Sequence, residues 1–295
     1  MNTATAANTA TPASPERHSG PTIRTLLRHE VARTRGPLGV VVLGTSLFAV
    51  VGALIATTPI YVLANLGLIL GFGAAGALPP IALIVLAIDY WLSAYGRTGY
   101  LTQSLPLRGS RIYAARLLYG SLVGVAATVW ALALALLPAL AAAREAADPG
   151  QGAVAFLVKN VREVIAPVGA LWWLFFAALG VALIVSYLAQ YYFAASIGSE
   201  GRLGAMGPAG PVLVWFCVYL LMQVLAGVGL FAVPVGVGMS GGSLGFVPMD
   251  LWGALVANQP PPQGFPLGFL VPMLLVSALL AWRTAYSWDR KVSLR

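Results

Sequence analysis

The sequence His29-Glu30-Val31-Ala32-Arg33 begins like the helix that binds zinc in many metallopeptidases. In that helix two histidines four residues apart bind the metal, and the glutamate between them acts as a general base. Arg33 occupies the position of the second histidine here, so one ligand is missing. We therefore predict no metal site in this segment, and the sequence indicates none elsewhere.

Two other kinds of chemistry are excluded by residues that the chain lacks. A phosphate-binding P-loop needs glycine directly before its lysine, whereas Val158 precedes Lys159 and Arg290 precedes Lys291. Cys217 is the single cysteine, which rules out a disulfide framework and a cysteine-based metal site. The sequence predicts no catalytic residue, no cofactor bound by this chain and no enzymatic activity.

Asp89 is the clearest ionisable residue within an apolar run. A carboxylate that binds a coupling ion in a carrier is expected near the membrane midplane. Asp89 instead lies close to the end of its run, beside Tyr90 and Trp91. We expect it to pack helices together or to lie at the membrane interface; an ion-coupling role is the alternative.

The elements that position these residues must lie in a membrane. Of the 295 residues, 59% are hydrophobic and 9% are charged, a composition that does not suit a water-soluble globule. Because a helix needs about 20 apolar residues to cross the hydrocarbon core, six runs are long enough. We predict an all-α integral membrane protein with six transmembrane helices, near residues 38–57, 68–91, 112–141, 165–187, 212–233 and 267–286.

The second span is the least regular, since it contains Pro79 and Pro80. We expect a kinked helix there, with a broken helix or a seventh segment as alternatives. The rest of the chain divides around the spans. We expect a disordered tail at 1–20, an amphipathic interface helix at 21–36, the transmembrane domain at 37–289 and a C-terminal tail at 290–295.

The basic residues predict the orientation, because short cytoplasmic loops retain Lys and Arg. Most of the 17 fall on one side of the predicted spans: Arg17, Arg24, Arg28, Arg33, Arg35, Arg97, Arg108, Arg111, Arg116, Arg202, Arg283, Arg290, Lys291 and Arg295. We therefore expect both termini in the cytoplasm of a multi-pass plasma-membrane protein. This topology and the lipid bilayer account for the net charge of +8, so no nucleic-acid partner is predicted.

Three segments outside the spans have recognisable patterns. In 21–36 apolar residues recur at helical spacing among arginines, which predicts a helix on the inner membrane surface that Gly36-Pro37 ends. It is either a passive anchor or a docking face. A similar outer helix is predicted for 151–165, and the outer loop 234–266 is expected to contain a short helix at 249–256.

A resemblance adds to these inferences. The amphipathic helix with Arg28, Glu30 and Arg33-Thr34-Arg35 precedes six spans, and the loop after the second span reads Gly96-Arg97-Thr98-Gly99-Tyr100-Leu101, then Leu105-Pro106, then Arg111 and Arg116. This arrangement resembles the permeases of type-2 ATP-binding cassette (ABC-2) transporters. Arg116 stands where those permeases often have Lys. The likeness extends along the topology, while its sequence-specific part is 95–117.

The resemblance implies a transport function powered from outside the chain. Two permeases, identical or related, would pair, and each would dock an ATPase subunit that binds ATP and Mg. The substrate would be hydrophobic or amphipathic and exported, and the residues that bind it are unknown. The expected coupling residues are Arg28, Glu30, Arg33, Thr102, Gln103, Ser104, Leu105, Pro106, Arg108 and Arg111.

Three alternatives to this implied function stay open. The loop at 97–111 would be an ordinary turn whose arginines only follow the topology. The chain would be an ion-coupled secondary carrier that depends on Asp89. It would be a membrane scaffold or sensor that transports nothing.

Overall fold

The computed structural model describes residues 23–96, 108–148, 150–260 and 262–290. Within these ranges six helices are long and apolar enough to cross a membrane, which confirms the predicted number. They are α1 (Ile23–Ala56), α2 (Tyr61–Tyr95), α3 (Gly109–Ala146), α5 (Ala170–Ile197), α7 (Ala209–Ala232) and α9 (Leu270–Arg290). Thr102, Gln103, Ser104, Leu105 and Pro106 lie outside the described residues, as do the two predicted tails except Arg290.

Helix α1 continues without a break through Gly36 and Pro37, so the predicted stop between an interface helix and the first span is wrong. Proline normally clashes with the Cβ of the residue before it, but Gly36 has no Cβ. Pro37 still removes one backbone donor, the one that would serve the carbonyl of Arg33. Membrane helices tolerate that loss. Within the described residues, the predicted interface helix and the first span therefore form one helix of 34 residues, Ile23–Ala56.

Helix α2 also continues through its prolines, Pro79 and Pro80. The alternatives of a broken helix and of a seventh segment are therefore wrong. At 35 residues the helix is about 52 Å long, well beyond the roughly 30 Å of a hydrocarbon core. Its ends accordingly have room to carry polar contacts outside the lipid.

Helices α1 and α2 approach each other closely because glycines face the contact. A Cβ on Gly52 would come 2.7 Å from the Cα of Gly71, and a Cβ on Gly67 would come 2.7 Å from the carbonyl oxygen of Gly52. Helix α3 packs against this pair. Gly67 and Gly71 thus permit the close approach of the helices, whereas Gly73 has open space around it.

Helices α5, α7 and α9 pack together; α5 also contacts α2 and α3, and α9 contacts α3. Between α5 and α7 lies a short helix, α6 (Gly201–Gly204). The helix predicted for 151–165 is confirmed as α4 (Ala153–Ile165), which contacts α3 and has no buried residue; its place on the outer side stays a prediction.

The segment after α7 contains strands besides the short helix predicted there, so the described chain is mostly helical and the all-α prediction is wrong at this point. The segment folds into a hairpin of β1 (Val235–Ser240) and β2 (Ser243–Pro248), and β3 (Phe265–Pro266) pairs with the other side of β1. Gly241 and Gly242 form the two-residue turn, with φ of +60° and +81°. The short predicted helix is confirmed as α8 (Leu251–Val256), whose first turn is capped by the Asp250 carboxylate.

Alternating helix directions bring five termini together. Contacts between Arg33 and Asp89, Tyr90 and Ser196, and Ser110 and Asp289 join the first part of α1, the end of α2, the start of α3 and the ends of α5 and α9. We call this the Arg-rich end. The opposite end carries the hairpin, α4 and α8.

Candidate functional site

The first part of the site is an ion pair between α1 and α2. Arg33 donates from Nε to the two carboxylate oxygens of Asp89 at 2.9 and 3.0 Å, and from Nη2 to Oδ2 at 2.6 Å. Such fork geometry between guanidinium and carboxylate is stronger and more directional than a lysine contact. The predicted packing role of Asp89 thus has a partner, and the carboxylate is not free.

The second part continues from α1 to α3. Nη2 of Arg33 also donates to the carboxylate of Glu30, one turn earlier. The other oxygen of Glu30 accepts from Nε of Arg116 at 3.2 Å. Arg116, Glu30, Arg33 and Asp89 therefore form a continuous chain of opposite charges across three helices, which we call the ionic chain.

Arg116 is the buried end of the ionic chain, with 4% of its side chain exposed. Its guanidinium carbon lies 5.4 Å from the ring centre of Tyr90 and 5.6 Å from that of Trp288, within the range of cation–π attraction. Its Nη1 has no hydrogen-bond partner among the described residues. A buried arginine so placed depends on Glu30 for its countercharge.

Aromatic residues surround this guanidinium and connect more helices. The rings of Tyr90 in α2 and Tyr192 in α5 stack with centres 4.1 Å apart. The Tyr90 hydroxyl forms a hydrogen bond with the hydroxyl of Ser196 at 2.8 Å and accepts one from the indole N–H of Trp288 at 2.6 Å. The Arg116 end of the ionic chain is therefore embedded in a packed core that includes α5 and α9.

The structure separates the predicted coupling residues into two groups. Glu30 and Arg33 belong to the ionic chain, and Glu30, with 12% of its side chain exposed, already contacts two arginines of its own chain. Arg28, Arg108 and Arg111 are exposed at the Arg-rich end. The prediction that these residues contact an ATPase stays a prediction.

Sequence reasoning missed the aromatic core and the pairing partners of Glu30 and Asp89. One signal was present: a carboxylate in an apolar helix requires a cation, and arginines of the two neighbouring helices were the candidates. Which arginine pairs with which carboxylate depends on helix packing, which the sequence alone does not specify.

A groove lies beside the aromatic core, between α2, α5 and α7. It has a volume of about 460 Å³, within the range of small-molecule sites. Its walls are almost wholly apolar and include Ile88, Trp91, Tyr191, Val212 and Trp215. In the part of the chain that the structure describes, no three His, Cys, Asp or Glu residues lie close enough to hold a metal ion.

Comparison of the chain with family models, with curated proteins and with solved structures finds no match. The six long apolar helices define the chain as a multi-pass helical membrane protein, and the ionic chain gives it a charged cluster at one end.

Proposed function

We propose that the chain is the permease subunit of an ATP-binding cassette transporter, which exports a hydrophobic or amphipathic substrate across the plasma membrane. A separate ATPase subunit supplies the energy. A second copy or a related permease completes the transmembrane pathway. In this proposal the Arg-rich end and both termini lie in the cytoplasm.

The observation that carries the proposal is the ionic chain. It ties α3, α1 and α2 together beside the ends that residues 97–107 connect. A partner that pushes on this connection acts on three helices held by charge-assisted hydrogen bonds. The exposed Arg28, Arg108 and Arg111 supply positive charge at the same end for an acidic partner surface.

The groove between α2, α5 and α7 supports the proposed class of substrate. Its apolar walls favour a molecule with a substantial hydrophobic part. Trp91 and Trp215 line it, and tryptophan is favoured where apolar and polar environments meet. An amphipathic molecule satisfies both conditions.

The geometry of Asp89 disfavours the ion-coupled alternative. Its carboxylate accepts three hydrogen bonds from Arg33, and a guanidinium remains charged at any physiological pH. A coupling site needs a carboxylate that exchanges its ion during each transport cycle. Asp89 is instead held as the partner of a permanent cation.

Purification of the tagged full-length chain from its native membrane in mild detergent tests the proposal. We expect an ATPase with ATP-binding cassette motifs to copurify in about equal amounts, identified by mass spectrometry, and Leu105→Asp together with Pro106→Ala to reduce that copurification. Gln151→Ala, on the opposite end, is the control. Absence of such an ATPase, or its full retention after deletion of 101–111, contradicts the proposal.

A further inference from the structure

A second groove lies at the opposite end of the molecule, between the last turns of α1 and α3. It has a volume of about 160 Å³. Val50, Ala53 and Leu54 of α1 and Leu137 and Leu140 of α3 form its apolar walls, and Arg144 lies at its rim. The groove is too small for a drug-sized molecule but accepts a slim chain.

The groove extends along the helices. It follows the end of α1 from Val50 to Thr57 and α3 from Leu137 to Arg144, seven helical steps in each case, so its length is about 10 Å. Val50, Leu54 and Leu137 are exposed in the monomer, with Leu54 at 64%. The groove opens at the side of a membrane-spanning helix pair and therefore faces lipid.

Arg144 distinguishes this groove from an ordinary lipid-facing surface. It is exposed in the last turn of α3, and it forms no ion pair with any residue that the structure describes. Its neighbours Glu145 and Asp148 make the local charge slightly negative, so this end does not attract anionic lipids broadly. A single guanidinium at the end of an apolar groove recognises one phosphate, with two parallel hydrogen bonds.

We propose that this groove is a phospholipid site, in which one acyl chain lies along Val50–Leu54 and Leu137–Leu140 and the phosphodiester binds Arg144. The phosphate, and not a net negative charge, is the group recognised. The site therefore accepts zwitterionic and anionic phospholipids alike. This inference does not depend on the transport function, because it concerns a surface at the other end of the molecule.

Photolabelling of the full-length chain in vesicles tests the site. The vesicles consist of dioleoyl phosphatidylcholine with a trace of phosphatidylcholine that carries a diazirine on one acyl chain. After irradiation, peptides from 50–57 and 137–144 are quantified by mass spectrometry. Labelling of Leu275 and Leu279 on the exposed face of α9 serves as the internal reference for ordinary lipid contact and for correct folding.

We expect Arg144→Gln to lower the labelling of the groove peptides, relative to α9, about tenfold or more, as loss of a charge-assisted hydrogen bond predicts. Ala53→Phe should lower it similarly by filling the groove while Arg144 remains. Lys159→Gln, a basic residue of α4 outside the groove, should leave it unchanged. Equal labelling in Arg144→Gln and the parent chain, or equal labelling by a phosphate-free diacylglycerol probe, overturns the proposal.

Discussion

Arg116 is a permanent cation with only 4% of its side chain exposed, and Glu30 supplies the countercharge. Removing one partner of a buried ion pair leaves the other charge without compensation. We therefore expect Glu30→Gln to lower the free energy of unfolding by about 2–3 kcal/mol, visible as a lower Tm in detergent. Arg28→Gln, one of the exposed arginines of the same helix, is the matched control and should change stability by less than about 0.5 kcal/mol.

An unchanged Tm in Glu30→Gln would mean that Arg116 does not depend on Glu30. The double variant Glu30→Gln, Arg116→Met tests whether any destabilisation of Glu30→Gln comes from the uncompensated charge of Arg116. If the unpaired Arg116 guanidinium causes the destabilisation, removing both partners should restore part of the lost stability.

The Arg33–Asp89 pair calls for a double-mutant cycle. Arg33→Gln, Asp89→Asn and the double variant should give a coupling energy of about 1 kcal/mol, modest because a third of the Arg33 side chain is exposed. The measurement is thermal unfolding of the four proteins. A coupling energy of zero contradicts the pairing, and complete loss of transport in Asp89→Asn alone, with full activity in Arg33→Gln, would favour an ion-coupling role.

At this scale the sequence predicted where Asp89 lies but not its partner. Its place near the end of an apolar run indicated a packing or interfacial role, and the structure pairs it with Arg33. Glu30 was expected to be available to a partner protein. Its contact with Arg33, three residues away, is local, but its contact with Arg116 joins residues 86 positions apart, beyond the reach of local pattern.

At the level of elements, the contact of α1 with α2 depends on glycine. A Cβ on Gly67 would overlap the backbone of α1, so Gly67→Ala should force the helices apart and destabilise the protein by about 2 kcal/mol or more. Gly73→Ala in the same helix meets open space and should be neutral or slightly stabilising. Thermal unfolding in the same detergent compares the two, and equal Tm values would refute the close approach.

The elements that sequence reasoning missed have physical explanations. The predicted stop at Gly36-Pro37 rests on the behaviour of proline in water-soluble helices, where water replaces the lost backbone hydrogen bond and the helix can end. Membrane helices tolerate proline, and α1 remains helical there. The β-hairpin was visible in principle. Val235, Val237 and Met239 alternate with glycine, and Gly241-Gly242 is a recognised hairpin turn, but the many glycines favoured an irregular loop.

For the whole molecule, the charge distribution predicts which end faces the cytoplasm. Cys217 is the only cysteine, so a Cys217→Ser chain accepts single reporters. We expect a membrane-impermeant maleimide to label Ser240→Cys, next to the hairpin turn, on intact cells, and to label Arg28→Cys only after the membrane is permeabilised. The reverse pattern would invert the proposed orientation and remove the cytoplasmic docking surface.

The number of spans was predictable because hydrocarbon imposes a length and an apolar composition on each crossing helix. The positions at which the helices end could not be predicted in the same way. α5 runs to Ile197, ten residues beyond the predicted end of the fourth span. The added turns carry Gln190, Tyr192 and Ser196, polar residues whose burial depends on neighbouring helices.

The unbroken course of α1 has a mechanical consequence. From Arg33 in the ionic chain to Ala56 at the far end, the helix measures about 35 Å. If the ionic chain acts as a pivot, a tilt of about 5° displaces Ala56 by about 3 Å, somewhat more than the usual 1–2 Å shift between packed helices. A break at Gly36-Pro37 would have absorbed that rotation near its source. Because α1 is one continuous helix, a rotation at the ionic chain also moves its end at the opposite face of the bilayer.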